Sequence, residues 1–396
     1  MALLVILDGV GDIRAMGKGT PLEEAKKPNI DGLVEKGAVG LMSTLGRGLT
    51  PGSDTGHLAI LGYDWKKEYP GRGPLEALGV GMELKEGDVA FRANFATVMN
   101  NRIVDRRAGR IESKEAKRIA KAVERIEIDG VEILFKHSTE HRGAVVLRGK
   151  GLSAKITDTD PHKTGGLQKC EPLDKTKEAK KTAEIVNKWT KKVMEILSRH
   201  EVNKKRRLPA NALLLRGAGM HRKVEGFEKR FGMKAACIAG GALYKGVAKY
   251  VGMDVIQVKG ASGDRNTDLE AKKKAVEQAL KKYDFVFLHI KATDSFSHDG
   301  DFEGKKRFIE KIDRVVGFDF ESDVIVITGD HSTPWSLKRH AGHEVPILFS
   351  GELVRKDEVK RFDEYSAAKG GIGHIEGKDV MNMIKNYMGK NEVVGS

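Results

Sequence analysis

Apolar positions follow two rhythms along this chain. Residues Ala2–Leu7, Phe285–Ile290 and 324–327 are almost wholly apolar, with His289 the one polar interruption. Each run has strand length and is too short for an independent helix, and an unbroken apolar run marks a strand covered on both faces. Between the second and third runs, Phe308, Ile309, Ile312, Val315 and Val316 recur at helical spacing. A strand, helix, strand succession favours a parallel sheet. A strand at 254–258 and a helix at 268–282 extend the alternation upstream, so the expected core is α/β. The glycine-rich 369–374 reads as a loop before a last helix, because it lacks the Lys-Ser/Thr ending of a nucleotide-binding loop.

From 83 to 225 the pattern changes. Residues 91–98 alternate as a strand with one exposed face, and 131–135 and 144–147 look similar. Helices are expected over 114–125 and 173–199; in the second, Val186, Trp189, Val193 and Ile196 make one apolar stripe that reads as core. The expected organisation is a core domain of 1–82 with 226–396, and an inserted α+β lobe of 83–225.

Reactive groups in open parallel sheets collect beyond the carboxyl ends of the strands. Asp8, Asp294, His298, Asp330, His331 and His343 all fall just past such ends. Aspartate and histidine without cysteine suit Mn, Co, Zn or Mg rather than an ion selected by thiolate. Ser53 follows Pro51-Gly52 where a helix begins; its simplest role is an N-cap. The alternative is a nucleophile, since a metal can hold a serine hydroxyl as alkoxide. No Gly-x-Ser-x-Gly elbow points to a base-activated hydrolase instead.

Within the insertion, 157–165 concentrates turn-forming and proton-transferring groups, Asp160 and His162 among them. Arg142 and Arg216 stand at strand-like segments and are suited to gripping phosphate or carboxylate through a planar fork. Lys245 is a further cationic candidate, although a solvated helix lysine is its plainer role.

Length and charge widen this picture before narrowing it. The 396 residues allow two domains, and a net charge of +14 attracts anions of any kind, from nucleic acid to small phosphorylated metabolites. Aromatic residues are only 6% and no nucleic-acid recognition motif is present, which argues against a basic nucleic-acid-binding protein with structural metals. Cys170 and Cys237 match no disulfide or metal spacing. No apolar run reaches bilayer-spanning length, and the first strand lacks a basic start, so a soluble, cytoplasmic protein without a membrane partner is expected.

Five segments carry a resemblance: Leu7-Asp8-Gly9, Pro51-Gly52-Ser53-Asp54-Thr55, Asp294-Ser295-Phe296-Ser297-His298, Gly329-Asp330-His331-Ser332-Thr333-Pro334 and His343-Glu344-Val345-Pro346. In that order they resemble the alkaline phosphatase superfamily, and more narrowly its archaeal-type cofactor-independent phosphoglycerate mutases. Gly71-Arg72-Gly73-Pro74, Asp160-Pro161-His162 and Leu215-Arg216-Gly217 add to the likeness. The resemblance implies a doubly wound, alkaline-phosphatase-like core sheet with two divalent metals. Asp8, Ser53, Asp330 and His331 would hold one and Asp294, His298 and His343 the other. It implies interconversion of 3-phosphoglycerate and 2-phosphoglycerate through phosphoserine at Ser53, without 2,3-bisphosphoglycerate, by lobes that open and close. Asp160 would serve as acid or base with His162 near it, and Arg142, Arg216 and Lys245 would grip the substrate. The rival within the superfamily is a phosphohydrolase, in which water discharges the phosphoserine.

Overall fold

The computed structural model describes residues 1–391, 393 and 395. The chain forms two compact units, Met1–Tyr69 with Glu225–Ser396, and Pro70–Val224. The second begins before residue 83 because the helix Arg72–Gly79 belongs with the strands that follow it. A Cβ at Gly73 would lie 1.9 Å from the Ala90 carbonyl oxygen, so only glycine lets this helix approach the strand so closely.

The first unit is built on an eight-stranded sheet, ordered Asp254–Val255, Ala235–Ile238, Phe285–Ile290, Ala2–Leu7, Val324–Thr328, Val345–Gly351, Gly37–Ser43 and Gly373–Glu376. Neighbours are parallel except where Val345–Gly351 runs against Val324–Thr328 and Gly37–Ser43. The sheet is therefore mixed, and Gly373–Glu376, whose first two residues fall within the expected loop, forms its edge. Strand 254–255 is shorter than expected.

Both faces are covered, as the unbroken apolar runs require. Leu3, Val5, Leu7, Val286, Leu288, Ile325 and Ile327 pack with residues of the helices Leu269–Leu280 and Phe302–Val316. From the other face, the rings of Phe287 and His289 meet His57 of the helix Ser53–Ile60, and His289 stacks on Tyr244 of the helix Ala242–Tyr250. This is a doubly wound α/β layer, and it brings the ends of Ala2–Leu7, Phe285–Ile290 and Val324–Thr328 side by side.

The second unit is α+β. Val89–Met99 is its central strand, flanked antiparallel by Arg142–Arg148 and Ala212–Met220. The helix Lys177–Ser198 buries Val186, Trp189 and Val193 in a core shared with Phe91, Phe95, Ile133 and Leu213. The helix expected over 114–125 ends at Lys121, and Arg125 already starts a strand.

Candidate active site

Asp8 follows the central strand Ala2–Leu7 and is fully buried. Its Oδ2 lies 3.0 Å from His289 Nε2, and its Oδ1 takes a hydrogen bond from Lys291 Nζ at 3.0 Å. Burial alone would raise its pKa, but Lys291 and the His289 hydrogen bond hold it well below the usual carboxylate range. Lys291 also donates to Asp294 Oδ2, at 2.5 Å. One ammonium thus bridges two carboxylates.

Asp330 and His331 follow Val324–Thr328. Asp330 Oδ1 accepts the Gly9 N–H at 3.0 Å, yet its buried Oδ2 has no hydrogen-bond partner. Burial, and then the charge of Asp8, push the Asp330 carboxyl well above its ordinary range. Gly9 adopts φ +60°, and a Cβ there would meet Thr333 Oγ1 at 2.7 Å and Asp294 Oδ1 at 2.8 Å, so glycine is needed twice over.

The imidazoles are oriented by their outer nitrogens. His298 Nδ1 lies 3.0 Å from the Lys338 carbonyl, His340 Nδ1 3.0 Å from the Pro51 carbonyl, and His331 Nδ1 2.9 Å from Thr333 Oγ1. A carbonyl beside Nδ1 fixes the proton there and leaves Nε2 as a lone pair. Those Nε2 atoms point inward: His298 at 3.3 Å and His340 at 3.6 Å from Asp294 Oδ1, His331 at 3.6 Å from Asp8 Oδ1. Two sets come close enough to hold a cation, Asp294 with His298 and His340, and Asp8 with Asp294 and His331. Crowded carboxylates, a buried carboxylate oxygen without a hydrogen-bond partner and imidazoles whose Nε2 atoms face inward form a donor set that fits divalent cations.

Ser53 is buried, and its Oγ lies 3.2 Å from His331 Nε2. It is not an N-cap: Gly52 occupies that position and Ser53 is the first helical residue, which frees the hydroxyl to face the cluster.

One expected ligand lies apart from both sets. Among the described residues His343 is exposed and belongs to neither set, whereas His340 belongs to the first, stacked on His331 with ring centroids 3.6 Å apart. The bridge between Ser332 and Ala341 holds 340 against the Asp330–Thr333 loop, and the chain then turns away before Val345–Gly351.

In the second unit Asp160 is buried and clamped by Arg106, whose Nε and Nη2 both donate at 2.8 Å. Burial would raise the Asp160 pKa, but these bonds bring it below the ordinary value. His162 has φ +59°, and its side chain is 58% exposed, 3.6 Å from Asp158. Its carbonyl, not its ring, takes a hydrogen bond from Arg106, at 3.0 Å. Arg216 pairs across the sheet with Arg92, and burial lowers both pKa values, Arg92 to about 10. Arg142 is exposed, 3.8 Å from Glu140, and Lys245 of the first unit is half-buried with Nζ 3.4 Å from Gln257.

Sequence reasoning missed Lys291, His340, His289, Thr333 and Arg106. Lys291 was within reach of the rule that found Asp8 and Asp330, since it is the first residue after Phe285–Ile290.

The fold and the buried serine beside imidazole and carboxylates define the class, an α/β enzyme of phosphoryl transfer. Residues 35–203 match the family model described as 2,3-bisphosphoglycerate-independent phosphoglycerate mutase. A protein of that name from Methanocaldococcus jannaschii is 49% identical over 406 aligned residues, covering 100% of this chain and 98% of the relative. One from Archaeoglobus fulgidus is 50% identical, covering 96% of each. Among solved structures, a Pyrococcus horikoshii protein superposes with TM-score 0.87 at 38% identity, covering 100% of this chain and 99% of that one. The cofactor-independent phosphoglycerate mutase of Thermoplasma acidophilum gives 0.71 at 36% identity, covering 98% and 99%. The chain belongs to the 2,3-bisphosphoglycerate-independent phosphoglycerate mutase family.

Proposed function

We propose that this enzyme interconverts 3-phosphoglycerate and 2-phosphoglycerate, in glycolysis and gluconeogenesis, by passing the phosphoryl group through Ser53. The observation that carries the reading is the Ser53 hydroxyl, aimed by a helix start at His331 Nε2 rather than spent as a cap. Two divalent cations, drawn from Mn, Co, Zn or Mg, would be held by Asp8, Ser53, Asp330 and His331 and by Asp294, His298 and His340, acidifying the serine hydroxyl and offsetting charge on the phosphoryl oxygens.

Ser53 Oγ gives up its proton and attacks phosphorus in line. The bond from phosphorus to the C3 oxygen breaks, and that oxygen takes a proton. Glycerate stays bound and reorients; its 2-hydroxyl then loses a proton and attacks the phosphoserine, and the Ser53 hydroxyl is restored. Lys291, bonded to both Asp8 and Asp294, is placed to receive phosphoryl oxygens as they arrive.

Proton transfer at the glycerate hydroxyls is assigned to Asp160, with the 160–162 loop, His162 included, as its support. Clamped by Arg106, Asp160 stays ionised but has little basicity to offer. The substrate carboxylate is a competing anion for that guanidinium, and a switch of partner would free Asp160 to act. Arg142 and Arg216 of the second unit and Lys245 of the first are the further cationic side chains assigned to substrate anions. Arg106→Ala is expected to lower kcat/KM by about 10- to 100-fold, the worth of charge-assisted hydrogen bonds. Because Arg106 depresses the Asp160 pKa, its loss raises that pKa, so the acid limb of the pH profile should move to higher pH. An unmoved limb in steady-state assays would remove Asp160 as the base.

Both cysteines are free and buried, which fits a reducing compartment and supports a cytoplasmic location. No helix among the described residues is long and apolar enough to cross a membrane. The deciding experiment is incubation with 3-phosphoglycerate and Mn²⁺ followed by phosphorus NMR. The 2-isomer should appear without net inorganic phosphate; stoichiometric phosphate release would mark a phosphohydrolase instead.

A further inference from the structure

We infer that Lys305 is a positioning residue for both cation sites, clamping from behind two loops that carry ligands of the first and reaching Asp294 of the second through Thr333; the inference rests on the metal-dependent reading above. Lys305 lies in the helix Phe302–Val316 and is fully buried. Its ammonium donates to Asp12 Oδ2 at 2.8 Å, to the Gly9 carbonyl at 3.0 Å and to the Thr333 carbonyl at 3.3 Å. Three donors meet three acceptors, the condition under which a lysine can be taken wholly out of water.

Those acceptors belong to different parts of the chain. Gly9 and Asp12 lie in the loop after Ala2–Leu7, and Thr333 lies in the loop after Val324–Thr328. None of the three is a proposed ligand, yet Gly9 and Thr333 are each one bond away from one. Gly9 follows Asp8 and gives its N–H to Asp330 Oδ1 at 3.0 Å. Thr333 Oγ1 donates to Asp294 Oδ1 at 2.8 Å and accepts from His331 Nδ1 at 2.9 Å. Asp12 reinforces the clamp: its carboxylate also accepts the Trp335 N–H, at 3.2 Å to Oδ2 and 3.3 Å to Oδ1. Its own N–H donates to Glu364 Oε1 at 2.8 Å, and Glu364 Oε2 takes the Thr20 hydroxyl at 2.7 Å. A single charge therefore sets the spacing between the Asp8 turn and the His331 turn, and through Thr333 it also fixes Asp294. Outer contacts of this kind hold ligands in the geometry a metal requires.

The test is Mn²⁺ binding to metal-free protein, by calorimetry and by the electron paramagnetic resonance of the bound ion, alongside thermal midpoints of the metal-free forms. Lys305→Met keeps the length and removes the charge; combined with Asp12→Asn it also removes the stranded carboxylate. Mn²⁺ affinity is expected to fall about 10- to 100-fold in both, as for loss of other outer-shell partners. Lys305→Arg should recover part of the loss. A folded variant with wild-type affinity at both sites overturns the inference, even if its thermal midpoint drops, because that pattern marks a purely structural lysine. If neither methionine variant folds, Asp12→Asn alone decides: a smaller loss of affinity supports the clamp and an unchanged affinity overturns it. Wild-type protein that binds no Mn²⁺ would instead overturn the metal-dependent reading itself.

Discussion

Ser53→Ala is expected to lower mutase turnover by about 10⁴-fold or more, the scale on which loss of a nucleophile acts. The fold should survive unchanged. The hydroxyl is small, and Gly52 rather than Ser53 caps the helix Ser53–Ile60, so no cap is lost with it. Stability should fall by about 0.5 to 1.5 kcal/mol, the worth of the one hydrogen bond that the buried Oγ makes to His331 Nε2. Turnover separates the two roles a serine can play at a helix start. An N-cap serine would cost about 1 kcal/mol of stability and leave catalysis standing. A nucleophile takes catalysis with it. Steady-state turnover and a thermal melt on one preparation are enough, with mass spectrometry of wild-type protein quenched in substrate to look for phosphate on Ser53. Turnover retained in the alanine variant would remove the covalent path.

That serine was readable from the sequence only as a choice between two roles, because the residue before it decides the matter. Gly52 accepts the cap position in extended geometry, φ −81° and ψ 155°, and pushes Ser53 one place into the helix. The central strands were far more legible. Ala2–Leu7, Phe285–Ile290 and Val324–Thr328 are buried on both faces, and such burial writes itself as continuous apolar runs. Their ends then delivered Asp8, Asp294, Asp330 and His331. Edge strands lack that signature. Gly373–Glu376 exists because its register against Gly37–Ser43 satisfies backbone groups, and its own residues are only partly covered. The same limit hides Arg106. Its carboxylate partner Asp160 stands 54 residues away, and only the folded second unit brings them together. Periodicity in a sequence reports which face of an element is dry; it carries no account of which distant side chains meet.

The histidines near residue 340 make the sharpest test of what folding adds. His340→Ala is expected to reduce kcat/KM by more than the roughly 10- to 100-fold typical of losing an outer-shell partner, and to shift the metal requirement to higher concentration. His343→Ala should leave both within about twofold, as expected for an exposed residue remote from any cap or network. Either histidine lies at the same edge of the sheet, since both precede Val345–Gly351, whose antiparallel run starts beside the carboxyl end of Val324–Thr328. Geometry separates them. The Pro51 carbonyl, 3.0 Å from His340 Nδ1, settles which nitrogen keeps its proton, and the other then faces Asp294. Stacking on His331 at 3.6 Å leaves the ring little freedom to turn away. His298 reaches the same carboxylate oxygen, with its own Nδ1 held by the Lys338 carbonyl. Two imidazoles and one carboxylate, each oriented from outside, are what a three-ligand cation site needs, and removing His340 leaves two. The expected signature is a metal titration displaced for His340→Ala and superimposable on wild type for His343→Ala. The opposite pattern would return the ligand role to His343 and require the loop between Thr333 and Val345 to fold another way when the cation is bound.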